Sequence, residues 1–406
     1  MIIDFSIENF KSIKNKITLT MEAVGSNKLP KNIIKEGSIR LVKSAGVFGA
    51  NASGKSNLIY GLFFMWQMIT TSHTFTINTK IPRIPYKFDE ESATKPSKFE
   101  IEFIYNKIRY RYGFSCNEDK IIEEYLYYWP KRKESLIFKR NEKGFTFKTD
   151  QSQQETYGNQ TIPNVLYVSR ATQLGYDKTK PVIEFFLGYI IINIDYPAWH
   201  GYTIRKISEN PIIKEKIINI LKGSDFGGIG DINVKKEKGN VKTITFDSSG
   251  KLSEQDSEQE IFNVEFLHKI KDKSIVLNLS EESAGTQKIF DMLGPLFDIL
   301  ETGKVAIIDE IETSLHPSIV KFIIKLFNSR HNKNNAQLIF SSHNTSLLDN
   351  ELFRKDQLYF CEKKPNASTQ LVSLLEFNIR QNLNFEKAYL QGRFGASPFV
   401  DETYTD

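Results

Sequence analysis

Gly49-Ala50-Asn51-Ala52-Ser53-Gly54-Lys55-Ser56 satisfies every fixed position of the phosphate-binding loop pattern G-x-x-x-x-G-K-[ST]. Small residues let the backbone curl so that successive N–H groups point inward at phosphate oxygens. Lys55 can reach β- and γ-phosphates, and the Ser56 hydroxyl can sit on Mg²⁺. Gly49, Asn51, Ser53, Gly54, Lys55 and Ser56 are therefore the candidate phosphate contacts. Just outside the loop, Leu41–Phe48 predicts an apolar strand. Ser56–Met68 predicts a helix whose positive N-terminal end faces the anion. A chance Gly/Ser loop before a helix would share the composition, but the strand–loop–helix setting favours the phosphate reading.

Further out, Ile3, Phe5 and Ile7 alternate with Asp4, Ser6 and Glu8, the pattern of a half-buried strand. Ile17–Met21 predicts a second strand. Phe99–Phe103, Ile108–Tyr112, Ile121–Trp129, Leu136–Lys139 and Phe145–Phe147 predict an antiparallel meander, with Asn106-Lys107 as a hairpin turn. Helical patterns return at Val182–Ile194 and Pro211–Leu221. Gly223–Asp231 reads as a glycine-rich loop and Ser248–Glu260 as a polar, mobile stretch. Strands around Val264 and Ile275 lead into a second α/β run. No internal repeat or extended heptad run is present.

In that second run, Val305-Ala306-Ile307-Ile308-Asp309-Glu310 is an apolar strand ending in two acids. Placed beside the phosphate-loop strand, it presents both acids at the carboxyl edge of the sheet. Asp309 would hold Mg²⁺, and Glu310 would accept a proton from attacking water. A buried strand with an acidic helix cap fits the same residues. Ala336–His343 is another apolar strand, and His343 at its end could bond a γ-phosphate or be structural. Ser283 and Gly285 open the helix Ile289–Leu300 as a small anion-friendly N-terminus or as a simple capping sequence.

The order and spacing of these segments resemble ABC-type ATPase heads of the RecF and SMC branch. The opening Ile7-Glu8-Asn9-Phe10-Lys11-Ser12 and Thr313-Ser314-Leu315-His316-Pro317 look like the same branch. Leu279–Thr286, Phe340–Thr345 and Tyr389–Ala396 are similar to the stand-alone ATPases of bacterial phage-defence and abortive-infection loci: RloA, AbiL-type and, more distantly, PARIS AriA. The resemblance implies an α/β fold: a P-loop ATPase head with an antiparallel β lobe and an inserted α+β region. It divides the chain as 1–78 (first part of the nucleotide core), 79–180 (β lobe), 181–273 (insertion) and 274–406 (second part of the core).

For mechanism it implies ATP and Mg²⁺ as ligands and a homodimer or higher homo-oligomer that sandwiches ATP. Lys55 and Ser56 act in cis; Ser283 and Gly285 close on the γ-phosphate in trans. Ser314 lies in the loop linking the two sites, and His343 is the switch histidine. Toxic chemistry would reside in a separately encoded effector. Two positions depart from the pattern: Tyr86–Asp89 holds no glutamine where a glutamine loop belongs, and Asn344 stands where many relatives carry an acid.

Composition sets the bounds. A chain of 406 residues supports one large or two ordinary domains, and 40% hydrophobic with 25% charged residues is ordinary for a soluble globular protein. Two cysteines, Cys116 and Cys361, argue against a disulfide framework or zinc site and for a reducing cytosol. The longest apolar runs fall short of the ~18 residues of a spanning helix, so no membrane partner is expected. The net charge of +5 permits nucleic acid without arguing for it. The alternative function is a RecF/SMC-like DNA-binding ATPase of repair or maintenance. Lys11, Lys14, Lys16, Lys131-Arg132-Lys133, Lys235, Lys236 and Lys238 would then be phosphate contacts, or else solvated surface. A self-sufficient nuclease is disfavoured, because no Asp-x-Asp pair occurs and the six histidines are dispersed.

Overall fold

The alternation at the start of the chain forms the strand Ile2–Glu8, with Ile3, Phe5 and Ile7 all buried. The computed structural model of the protein describes residues 1–192, 198–223, 228–246, 252–270, 273–313, 315–378 and 383–395. Strand Ile2–Glu8 lies between Ile17–Thr20 and Ser97–Tyr105 in a seven-stranded sheet. That sheet continues as the expected meander: Ile108–Cys116, Ile121–Trp129, Ser135–Asn141 and Gly144–Phe147, each antiparallel to the one before. Asn106 and Lys107 make its first turn with φ of 49° and 64°, the left-handed pair that a two-residue hairpin loop requires.

Glu124 in this lobe is completely buried. Its carboxylate accepts the N–H groups of Tyr167 and Val168, at 2.7 and 2.9 Å, at the start of helix Tyr167–Gln173. It also accepts the Tyr112 hydroxyl at 3.0 Å, and Arg140 lies 3.7 Å away. Burial pushes the Glu124 pKa up, while Arg140 and the donated hydrogen bonds oppose that shift.

The phosphate-loop strand belongs to a second, six-stranded sheet. Its strands run in the order Ile190–Ile192, Val305–Ile308, Gln337–Ser342, Ser44–Phe48, Leu358–Lys363 and Thr369–Ser373. The first five are parallel and the last is antiparallel. This is the expected α/β class: a parallel P-loop core with an antiparallel lobe. Helix Lys55–Thr71 follows the loop and buries Leu58, Leu62, Met65 and Met68 at helical spacing. Each such side chain contributes about 1.5–3 kcal/mol when fully buried. Trp66 Nε1 donates to Phe186 O at 3.0 Å, tying this helix to Lys180–Tyr189.

Two of the predicted elements are each divided. Leu41–Phe48 breaks at Lys43 into Ile39–Val42, which pairs with Ile33–Glu36, and Ser44–Phe48 in the core sheet. The Lys43 N–H donates to Asn32 O and its carbonyl accepts from Leu338, so this residue passes the chain from one ladder to the other. Val182–Ile194 is likewise not one helix. Helix Lys180–Tyr189 stops, and Ile190–Ile192 pairs with Val305–Ile307 as an edge strand. Three successive β-branched residues favour the sheet over helical continuation. Ile194 lies outside the described residues.

The chain divides into two compact units. The first comprises Met1–Asn193, Ile299–Thr313 and Val320–Asp406; the second comprises Ile194–Asp298 and Ser314–Ile319. In the second unit, helices Ala198–Glu209 and Pro211–Gly223 accompany the antiparallel strands Ile229–Phe246, Leu252–Ile270 and Lys273–Asn278. Here the loop expectations are corrected. Ile229–Asp231 already belong to a strand. Leu252–Glu260, expected to be mobile, pair residue by residue from Phe246↔Leu252 to Lys238↔Glu260. A run without an apolar face hides its strand from an alternation rule, whereas the backbone ladder does not need one. Residues 224–227 and 247–251 lie outside the described residues. Among the described residues, no helix is long and apolar enough to cross a membrane.

Candidate functional site

Strand Ser44–Phe48 is buried throughout and ends directly at the phosphate loop. Two glycines there are steric necessities. Gly49 has φ 156°, and a Cβ on it would stand 2.5 Å from Cys361 O. Gly54 has φ 103°, and a Cβ on it would stand 1.9 Å from Thr369 Oγ1 and 2.9 Å from Ser12 Oγ. The same neighbours clasp the loop. Thr369 Oγ1 donates to Ser53 O at 2.9 Å, and Thr369 N–H donates to Ser12 O at 2.7 Å. With its proton committed, Thr369 Oγ1 accepts from Ser12 Oγ at 2.7 Å, and Ser12 Oγ accepts from Asn57 Nδ2 at 2.6 Å.

Lys55 opens helix Lys55–Thr71 and is only 6% exposed. Its ammonium donates to Gly49 O at 2.8 Å and Ala50 O at 3.0 Å. Burial pulls its pKa down, and the charges of Glu310, Glu312 and Asp309 partly oppose this. Ser53 Oγ is buried without a hydrogen-bond partner. Asn51 is exposed, and Ser56 is half-buried in the first helical turn.

Strand Val305–Ile308 is fully buried and delivers Asp309 and Glu310 at its carboxyl end. It does not lie beside the phosphate-loop strand, as the sequence suggested. Gln337–Ser342 runs between them, in register Ile308↔Phe340 on one side and Ser342↔Phe48 on the other. All six residues of this strand are buried, as its place between two parallel neighbours requires. Ser341 therefore faces the acids directly. Its Oγ donates to Asp309 Oδ1 and accepts the Glu310 N–H at 2.8 Å, while Glu310 sits at φ 48°. Ile311 N–H donates to Ser341 O at 3.1 Å. His343, one residue past the strand, donates its main-chain N–H to Glu312 Oε1 at 2.7 Å, and its Nδ1 lies 2.9 Å from the same oxygen.

The structure thus gathers the loop, Lys55, Asp309, Glu310 and His343 in the first unit. Ser283 and Gly285 belong to the second. There Ser283 Oγ accepts the Thr286 N–H at 3.1 Å and Ser283 O accepts the Gln287 N–H at 3.0 Å, which is capping geometry for helix Ala284–Thr302. Ser314 lies outside the described residues. Sequence reasoning missed Ser341, Glu312, Thr369 and Ser12 as site-forming residues. Ser12 closes the opening motif and Glu312 is the third acid of Asp309-Glu310-Ile311-Glu312, so both carried a signal. Thr369 carried none.

Residues 44–184 and 224–349 match the family described as AAA domain, putative AbiEii toxin, Type IV TA system. No curated protein sequence matches the chain. Solved structures with similar chains include the SMC head domain from Thermotoga maritima, at 13% identity and TM-score 0.41, covering 92% of this chain and 98% of that one. An SmcHead bound to the C-winged helix domain of ScpA shares 14% identity at TM-score 0.46, covering 96% and 99%. The Smc head domain with an extended coiled coil, bound to the C-terminal domain of ScpA derived from Pyrococcus furiosus, shares 13% at TM-score 0.41, covering 97% and 98%. With more than half of its length inside the family match, phosphate loop and acidic strand end included, the chain belongs to the AAA-domain family described as putative AbiEii toxin, Type IV TA system.

Proposed function

We propose that the chain is an ATP-binding and hydrolysing switch ATPase of the ABC type. Its role is the sensor or regulatory subunit of a bacterial anti-phage defence system, controlling a separately encoded effector through ATP-dependent assembly. One observation carries the enzymatic part: Ser341, on the parallel strand between the acidic strand and the phosphate-loop strand, bonds Asp309 and Glu310 at the same carboxyl edge where the phosphate-loop strand ends.

The residues fit a nucleotide. The loop is packed so closely on Cys361, Thr369 and Ser12 that only glycine fits at 49 and 54, and Ser53 Oγ is a buried hydroxyl with no partner. Gly49, Asn51, Ser53, Gly54 and Lys55 would contact phosphate. Ser56 and Asp309 would hold Mg²⁺, which when bound offsets phosphate charge. Glu310 would take the proton of the attacking water, and His343 would contact the γ-phosphate. Ser283 and Gly285 of one subunit would close on the nucleotide of another, with Ser314 in the linking loop. ATP then contributes contacts that exist only in the closed assembly, and hydrolysis removes them. The regulatory part rests on the resemblance of Leu279–Thr286, Phe340–Thr345 and Tyr389–Ala396 to ATPases of defence loci.

Glu310→Gln tests the reading. The amide cannot take a proton, so nucleotide binding persists, hydrolysis stops and an ATP-dependent assembly accumulates by mass measurement. Hydrolysis at the wild-type rate would remove Glu310 from the role of base. Plating phage on cells carrying the chain with its adjacent gene tests the regulatory part: protection should require both genes and be lost with Glu310→Gln.

A further inference from the structure

Glu312 meets His343 at two points, the main chain and the ring. One carboxylate oxygen, Oε1, accepts the main-chain N–H at 2.7 Å, and the ring Nδ1 lies 2.9 Å from the same oxygen in an ion-pair contact. A bond to the main chain alone would leave the ring free to turn; the second, ion-pair contact keeps its Nδ1 edge against the carboxylate. With Nδ1 against the carboxylate, Nε2 is left as the working edge of the ring. Exposure follows the same division. The Glu312 side chain is 8% exposed and that of His343 is 50% exposed, so the ring is pinned from the inside and open on the outside. Glu312 Oε2 is buried with no hydrogen-bond partner. Keeping a carboxylate half-satisfied in that place is costly, and holding the ring is the return the geometry displays.

The connection runs further along the chain. Ile311, 1% exposed, separates Glu312 from Glu310 and is itself bonded to Ser341 O. The proposed base and the clamp on the histidine therefore share one short, anchored segment, Asp309–Thr313.

We propose that Glu312 is a positioning residue that sets the His343 ring for the γ-phosphate, and so acts on turnover rather than on nucleotide affinity. This rests on the ATPase reading above. The test is steady-state kinetics and ATP affinity for Glu312→Ala, Glu312→Gln, His343→Ala and the Glu312→Ala/His343→Ala double variant. Glu312→Ala should lower kcat roughly tenfold, the scale of one lost hydrogen bond to a charged group. KM and ATP affinity should stay within about a factor of two of wild type. Glu312→Gln keeps an oxygen that can accept the main-chain N–H and face Nδ1, and should restore most of the rate. The double variant should be no slower than His343→Ala alone, because both changes remove the same function. A wild-type kcat for Glu312→Ala, a glutamine variant no better than alanine, or losses that multiply in the double variant would each overturn the inference. The two readings fail separately. A wild-type chain whose hydrolysis ignores Glu310→Gln sinks the ATPase reading, whereas Glu310-dependent hydrolysis indifferent to Glu312 sinks only this one.

Discussion

Ser341 donates its hydroxyl to Asp309 Oδ1 from the neighbouring parallel strand, and Ser341 Oγ in turn accepts the Glu310 N–H at 2.8 Å. One hydroxyl thus sets the rotamer of the first acid and the backbone of the second. Ser341→Ala removes both bonds and little volume. A hydrogen bond to a charged group contributes about 1.5–3 kcal/mol, so kcat for ATP should fall roughly tenfold or more. Nucleotide affinity should change little, because the phosphate loop is untouched. Unaltered turnover in steady-state assays would show that the acids need no such tether.

Gly54→Ala should damage the loop itself. The new methyl group would meet Thr369 Oγ1 at 1.9 Å, and φ of 103° is unfavourable for any L side chain. Backbone strain of this kind costs about 1–3 kcal/mol, and the clash adds to it. Calorimetry should show nucleotide binding lost along with a lowered melting temperature. Full binding with normal stability would mean that the loop can relax away from Thr369.

Lys55 should trade stability for function. Burial holds its pKa below the ordinary 10.5, so the folded state carries fewer protons than the unfolded one between the two values. Stability therefore rises with pH through that window, and the penalty is fully present at neutral pH. Lys55→Met should abolish nucleotide binding yet melt above wild type at neutral pH, with the advantage shrinking as pH approaches 10.5. A lower melting temperature at neutral pH would show that the bonds to Gly49 O and Ala50 O outweigh the desolvation.

In the lobe, Arg140 donates to Val165 O at 2.7 Å and Pro163 O at 3.0 Å and faces the buried Glu124. Arg140→Met leaves that carboxylate without its cation. Breaking a buried pair from one side costs about 3–5 kcal/mol, to be read by chemical denaturation. A loss below about 1 kcal/mol would mean that the N–H groups of Tyr167 and Val168 suffice for Glu124.

Local chemistry made much of this legible in advance. The phosphate loop announced itself because Gly49 and Gly54 have no substitutes at their φ and spacing. The meander was readable because Phe99, Ile101 and Phe103 alternate and Asn106-Lys107 tolerates left-handed backbone. Strand order was not readable, since nothing in Leu338-Ile339-Phe340 says it will part the phosphate loop from Asp309. Ile190–Ile192 was absorbed into a helix because a short apolar run suits either state until its partner is known. The Thr369 clasp was invisible, as it joins positions more than three hundred residues apart. Glu312 was visible as a residue but not as a partner, because its role depends on where His343 ends its strand.

The central claim is a switch whose nucleotide sites are shared between subunits, and mixing two defective variants tests it most directly. Ser283→Arg would block the surface offered to a partner, and Lys55→Ala would disable the loop that binds phosphate. In a mixed pair one composite site holds both defects and the other holds neither. ATPase activity measured on the mixture should exceed that of either variant alone. A mixture no more active than its separate components, or Ser283→Arg alone at the full wild-type rate, would contradict the shared site and leave a phosphate-loop ATPase that works as a monomer.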